Sequence, residues 1–325
     1  MKTINENQVK TFLNMENVIE VVKKLYFECA EGQICAGNRI YMPIRGEENV
    51  GQWLVANSYS QPFFGSKFSS VFPNNVTIGL PSTISKISLY SAETGELQAL
   101  IDANYLTAIK TGASAAVATD LMARKDAAVL SIIGTGLQAY SQILAIQEVR
   151  KLEKVYVYDV VPERVNDFIA LIEKEKNQDY SIVAATSGDE CAEQADIICT
   201  CTTAKTPVFS GEKLKPGTHV NAIGSFTPFM QEIDEATVLK AAKILTEHVD
   251  GLWEAAGDIL IPFNEGKLAK EDVTGSLGDA LTQKVSARDN EQEITLYESV
   301  GSGVLDIGLS IYVYQSLHEE EKGKC

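Results

Sequence analysis

Apolar positions change their spacing several times along the chain. Over residues 14–31, Val18, Val21, Val22, Leu25 and Cys29 recur at helical spacing, and Asn14 stands where an N-cap is needed. The preceding N-terminal residues carry a mixed polar, helix-like pattern with no apolar signal core. From Arg39 to Leu100 the pattern shortens. Apolar runs over 53–56, 84–89 and 97–101, separated by Gly, Pro and Asn, predict strands. Residues 90–96 predict a hairpin turn, with Gly95 supplying a positive φ. Residues 103–124, rich in Ala and Thr, predict a helix.

At Ala127 the pattern changes again. Residues 127–133 are apolar apart from Ser131, as in a strand buried on both faces of a parallel sheet. A Gly-rich turn and a helix over 137–149 follow. Strands are predicted over 155–158, 181–186, 197–202, 219–223 and 243–247, with a helix over 162–176. Ser187 precedes Glu190 at capping-box spacing and opens a further short helix. This alternation predicts an α/β fold with a Rossmann-type, doubly wound parallel sheet. Residues 294–317 are apolar with helical periodicity, predicting a helix that packs back on the N-terminal part. The charged tail after His318 predicts fraying.

A length of 325 residues suggests two domains at roughly 150 residues each. The net charge of −16 argues against a general nucleic-acid footprint. The six cysteines (29, 35, 191, 199, 201 and 325) show no metal-binding or redox spacing. Strand packing is the simplest role for the alternating pair Cys199 and Cys201. The three histidines are far apart, so no metal site is suggested. With no apolar run of ~18 residues, the expectation is a reduced, cytoplasmic protein that neither spans a membrane nor binds nucleic acid.

The sharpest chemical signal is Gly134-Thr-Gly136-Leu-Gln-Ala139. It follows a buried-strand pattern, opens a helix, and precedes Asp159 at the end of the next predicted strand. A dinucleotide fingerprint requires this context. Gly134 allows a tight turn, Gly136 lets the backbone approach a pyrophosphate, and Ala139 permits close helix–strand packing. Asp159 can accept from ribose hydroxyls and would repel a 2′-phosphate. NAD(H) is therefore favoured, while Arg164 leaves NADP(H) open.

Gly65-Ser-Lys67, Pro73-Asn74-Asn75, Gly79-Leu-Pro81, Thr94-Gly95, Leu106-Thr-Ala-Ile-Lys-Thr-Gly-Ala113 and the glycine-rich turn occur in order. Gly224-Ser-Phe-Thr-Pro228 with Glu232, and Tyr297-Glu-Ser299-Val-Gly301, follow. Together these motifs resemble the ornithine cyclodeaminase/mu-crystallin family over nearly the whole chain. The resemblance implies a Rossmann domain (114–299) inserted in a second α/β domain (1–113 with 300–325) that binds substrate and makes a homodimer. It implies that Arg39 and Lys67 grip a substrate carboxylate, an Arg fork beside a Lys point charge, with Lys67 catalytic. Ser82, Lys110, Thr111, Gly134, Thr135, Gly136, Leu137, Gln138, Asp159, Thr202 and Gly224 are the implied cofactor residues. Ser299 and Val300 would close over the nicotinamide side, and Phe226 would line the substrate pocket.

Three departures from the family pattern narrow the chemistry. Lys110 stands where Arg is common. Phe226 replaces the Asp that serves cyclodeaminases as proton donor. Leu54 falls near the place of an acid for the substrate amine. Phe226 cannot transfer a proton, and Glu232 is the only substitute that suggests itself. Reduction of a preformed cyclic imine needs less proton management than ornithine cyclodeamination. The expected reaction is NAD(P)H-dependent reduction of a cyclic ketimine acid, such as Δ1-pyrroline-2-carboxylate to L-proline, or its six-membered homologue. Ornithine cyclodeamination, alanine-dehydrogenase-like reduction of an open-chain imino acid, and a non-catalytic NAD(P)H-binding role are the alternatives.

Overall fold

The computed structural model describes residues 1–45 and 49–323; residues 46–48, Lys324 and Cys325 lie outside the described residues. The chain divides into two compact units, residues 1–110 with 302–325, and residues 111–301.

The first unit is built on a seven-stranded sheet. Its strands are β1 (Lys2–Ile4), β2 (Ile34–Ala36), β3 (Ile40–Pro43), β4 (Val50–Ser58), β5 (Phe63–Val71), β6 (Thr83–Ser91) and β7 (Leu97–Asp102). The order is β1-β7-β6-β5-β4-β2, and β3 also pairs with β4. Every pair is antiparallel except β1 with β7. Helices α1 (Glu6–Phe12), α2 (Met15–Ala30) and the start of α3 (Asn104–Met122) belong here. So does the C-terminal helix Gly303–Gly323, which packs on β4, β5, β6 and α2.

The predicted cap on α2 is present: Asn14 Oδ1 accepts from Asn17 N at 2.9 Å. Val18, Ile19, Val22 and Leu25 form the buried stripe. Gly95 has φ +74° in the hairpin turn. The N-terminal segment differs from its helix-like pattern, because three residues first form β1 beside β7. A strand this short carries too little periodicity to be read. Asn5 then caps α1 reciprocally with Gln8. The charged tail also differs, since the C-terminal helix continues to Gly323.

The second unit carries eight parallel strands. They are β8 (Val129–Ile133), β9 (Lys154–Tyr158), β10 (Ser181–Ala184), β11 (Ile197–Thr200), β12 (His219–Ala222), β13 (Ala241–Thr246), β14 (Gly275–Ser276) and β15 (Ile294–Glu298). Their order is β10-β9-β8-β11-β12-β15-β13-β14, the doubly wound arrangement expected. The connecting helices include α4 (Leu137–Val149), α5 (Pro162–Glu175) and α6 (Gly188–Gln194). Ser187 caps α6, but Glu190 returns to Thr186 N rather than to the capping residue.

Strand β11 shows why its sequence is continuously apolar. Ile198 enters a core with Val220, Ile244, Leu252 and Leu296. Its neighbours Ile197 and Cys199 enter another with Leu130, Ile143, Val155 and Phe168. Both faces of the strand are therefore covered.

Residues 294–317 do not form one helix. Ile294–Glu298 is strand β15, inserted between β12 and β13, and the helix starts only at Gly303. A strand buried on both faces and a buried helix give the same apolar signature over a short run. Among the described residues, no helix is long and apolar enough to cross a membrane.

Candidate active site

Lys67 sits on β5, where alternate residues Gly65, Lys67 and Ser69 face the interior. Its cross-strand neighbours are Leu54 on β4 and Ile87 on β6. The Lys67 ammonium is 2.7 Å from Asp306 Oδ2, and that of Lys110 is 2.8 Å from Asp306 Oδ1. All three side chains are buried. Burying charges like these is costly unless each is compensated, so removing one partner strands the others. Burial pushes the Lys67 pKa down to about 8; Asp306 opposes the shift, while Lys110 and Arg39 add to it. Burial alone would raise Asp306, but the two ammoniums reverse this and hold it below its ordinary value.

Arg39 is half-buried in the segment between β2 and β3. The structure thus groups Lys110 with Lys67, although the sequence placed it among cofactor residues. Asp306 escaped the sequence reading. Its one signal was a lone acid in an apolar run, and its position in the first turn of the C-terminal helix also suits an anion. Ser82 is exposed just before β6, in this same unit, and its carbonyl accepts from Phe72 N.

In the second unit the glycine-rich turn joins β8 to α4. Gly134 has φ +102°, and a Cβ there would lie 2.6 Å from Cys201 O, so no other residue fits. Gly136 is the N-cap of α4, with no side-chain cap and open space over its Cα. The helix N-terminus therefore offers unsatisfied N–H donors to an anion. Leu137 is exposed and Gln138 half-buried at this entry, and Ala139 is packed in the core.

Asp159 lies just beyond β9. Its Oδ2 accepts from Thr135 Oγ1 at 2.7 Å and its Oδ1 from Val161 N at 2.9 Å. A carboxylate held this way still has lone pairs for a diol. An uncapped helix end, a bare glycine and an oriented acid together fit a dinucleotide. Thr111 is the first residue of this unit, within α3.

Two further carboxylates shape the ends of the sheet. Glu232 is fully buried and accepts from Thr200 Oγ1 at 2.8 Å, Thr202 N at 2.5 Å and Gly224 N at 2.6 Å. Burial raises its pKa, and these donors pull it back down. Glu232, the substitute acid considered above, thus has both carboxylate oxygens engaged by these donors. Its oxygens are occupied in tying together the segments after β11 and β12, where Thr202 and Gly224 stand. Glu247 plays a similar part after β13. It accepts from Ser299 Oγ at 2.6 Å, Val300 N at 3.1 Å and Gly301 N at 3.3 Å, fixing the turn that follows β15.

Asp258 accepts from Glu232 N and Ile233 N, and burial with the nearby Glu232 charge raises its pKa to about 8. Phe226 is half-buried in the loop after β12. Neither clamp was visible in sequence, because each joins positions far apart in the chain.

Comparison with known proteins identifies the family and the fold. The family model described as "Ornithine cyclodeaminase/mu-crystallin family" matches residues 1–321. A Δ1-pyrroline-2-carboxylate reductase of Bacillus cereus is 35% identical over 324 residues, covering 100% of this chain and 99% of the relative. The Thermococcus litoralis Δ1-pyrroline-2-carboxylate reductase, solved with NADH and L-proline, superposes with a TM-score of 0.94 at 30% identity. That match covers 99% of this chain and 98% of the other. An archaeal alanine dehydrogenase dimer with bound NAD gives 0.92 at 26% identity, covering 99% and 97%. With its motifs in order and nearly its whole length matched, the chain belongs to the ornithine cyclodeaminase/mu-crystallin family.

Proposed function

We propose that the protein is an NADH-dependent reductase of a cyclic ketimine acid, with Δ1-pyrroline-2-carboxylate as the model substrate and L-proline as product. The observation that carries this reading is the composition of the buried anchor in the first unit. Lys67 and Lys110 both pair with one buried carboxylate, Asp306, and the positive charge of Arg39 also reaches Lys67. That excess of positive charge suits a substrate carboxylate. The neighbour of Lys67 on β4 is Leu54, not an acid that could hold a second amine. Relatives and solved neighbours that reduce pyrroline carboxylate support the same chemistry.

In this reading the first unit binds substrate and the second binds the dinucleotide. Arg39 and Lys67 hold the carboxylate. Lys67, with a pKa of about 8, is mostly an ammonium at neutral pH and is poised to share a proton with a bound ligand. Phe226 supplies an apolar wall, and Ser299 and Val300 stand on the nicotinamide side. The uncapped end of α4 holds the pyrophosphate, Asp159 the ribose, and Thr202 and Gly224 complete the cofactor contacts. When bound, the reduced nicotinamide supplies the hydride. Balance requires that hydride at the imine carbon and one proton at nitrogen. Asp159 favours NADH over NADPH through repulsion of a 2′-phosphate.

A homodimer is part of this reading. Strand β3 exposes Ile40, Tyr41 and Met42 at 57%, 48% and 45% on an edge that, among the described residues, pairs with β4 alone, an apolar edge of the kind that seeks a partner. The alanine dehydrogenase neighbour was solved as a dimer.

The test is NADH and NADPH oxidation, followed by absorbance, with Δ1-pyrroline-2-carboxylate and its six-membered homologue. A parallel reaction contains ornithine and NAD and is assayed for proline and ammonia. Rapid NADH oxidation without ornithine turnover is expected. Proline and ammonia from ornithine would overturn the reading in favour of cyclodeamination. Tight NADH binding without turnover of any imino acid would favour a binding protein.

A further inference from the structure

We propose that Asp306 is the positioning residue of the carboxylate anchor, holding Lys67 in place and protonated across the working pH range. The proposal rests on the anchor reading above for its consequence, but not for its geometry. Lys67 is enclosed by β4, β6, α3, the C-terminal helix and the segment before β3. From β4 it meets Leu54 and from β6 Ile87, neither of which carries charge. From α3 comes Lys110, and from the segment before β3 comes the charge of Arg39. Both disfavour a second positive charge. Among the described residues, the opposite charge acting on Lys67 comes from the C-terminal helix, from Asp306 at 2.7 Å.

Asp306 is itself completely buried, and each of its oxygens is engaged by a different ammonium. It has no surface with which to meet a ligand, and acts only through the two lysines. The arrangement has a plain chemical logic. An incoming carboxylate needs cations that are already charged and already placed. Two buried ammoniums side by side would each shed a proton unless a fixed anion stood between them. Asp306 is that anion; the two ammoniums keep it ionised, and its seat in the first turn of a helix suits the charge.

The experiment reads Lys67 directly. Protein labelled with 13C at lysine Cε is titrated by NMR, and the Lys67 resonance is identified by its loss in Lys67→Gln. The wild-type midpoint is expected near 8. In Asp306→Asn it should fall by at least one pH unit, a tenfold loss of proton affinity. The alkaline limb of kcat/KM for pyrroline carboxylate should move with it, with activity partly recovered at lower pH. Asp306→Glu, which keeps the charge, should keep the midpoint while losing rate through displaced lysines. Lys110→Met should raise the midpoint, since it removes a like charge and leaves Asp306 to Lys67 alone.

A purely structural Asp306 would lower the rate equally at every pH and leave the midpoint unmoved, which overturns the proposal. Should Asp306→Asn fail to fold, an unmoved midpoint in Lys110→Met overturns it equally. The NMR titration needs no turnover. Shifted midpoints in a protein that reduces no imine would therefore uphold the role of Asp306 and defeat the assigned reaction.

Discussion

His219 offers a quantitative check on the core of the second unit. The ring is completely buried on β12, with Nδ1 2.9 Å from Thr295 Oγ1 and Nε2 3.1 Å from Asn221 Oδ1. Asn221 donates its amide to Thr119 Oγ1 at 3.0 Å, which turns its oxygen toward the ring. Nε2 of the neutral ring therefore carries the hydrogen. Burial pushes the His219 pKa down to about 3, and the Arg288 charge pushes the same way. The unfolded chain binds this proton with a pKa of about 6.5.

Above pH 6.5 both states are neutral and nothing is lost. Below it the unfolded state takes up a proton that the folded state refuses, so stability falls with pH until the folded pKa is reached. From pH 7 to pH 5 the loss integrates to about 2 kcal/mol. Any folded value below ~4 gives the same figure, because the ring is neutral at pH 5 either way.

The assay is urea unfolding of wild type and His219→Gln at pH 7 and pH 5. Trp253 fluorescence reports on the second unit, in a Trp53→Phe background that silences the tryptophan of the first. Other groups titrate in both proteins and cancel in the comparison. The wild type should lose about 2 kcal/mol more than the variant between the two pH values. Equal losses, within about 0.5 kcal/mol, would refute a buried neutral imidazole.

Asp159→Ala should weaken NADH about tenfold and relax discrimination against NADPH, read by fluorescence titration; an unchanged preference would remove Asp159 from the ribose site. Glu232→Gln turns an amide N–H toward Gly224 N or Thr202 N, and should cost about 2 kcal/mol of stability in urea unfolding. It should also weaken NADH severalfold, and a variant with unchanged NADH affinity would detach Glu232 from the cofactor segments. Gly134→Ala places a methyl against Cys201 O, and should cost about 2 kcal/mol or more and abolish NADH binding. Wild-type melting would disprove the tightness of that turn.

What the sequence discloses here is what is local. The turn from Gly134 to Ala139, its flanking strand and helix, and Asp159 at the next strand end all lie between Val129 and Asp159, so spacing alone recovers their relation. The capped start of α2 and the turn at Gly95 are equally local. Lys67 was identifiable only through its motif, since nothing in its neighbours along the chain marks a buried ammonium. Asp306 meets it from a helix more than two hundred residues later, and Lys110 from yet another element. Glu232 and Glu247 are alike in this. Each accepts hydrogen bonds from residues brought close by the order of strands, which periodicity does not encode. The misread stretch over 294–317 failed for a different reason. Apolar composition on every face hides the period that separates strand from helix.

The place of β15 has a consequence for how the protein is made. This strand occupies the interior of the eight-stranded sheet, between β12 and β13, yet it is the last of the eight to be synthesised. The C-terminal helix, which lies on β4, β5 and β6 and carries Asp306, follows later still. On the ribosome, the second unit has a gap in its sheet until residues 294–298 have emerged, and the first lacks the helix on its sheet until residues 303–323 have. Completion of both units therefore waits for β15 and the helix that follows it. During that interval the open edges of β12 and β13 are exposed to wrong pairing. A chain that stops short of Ile294 would complete neither unit, and chaperones matter most until that segment and the helix after it have been made.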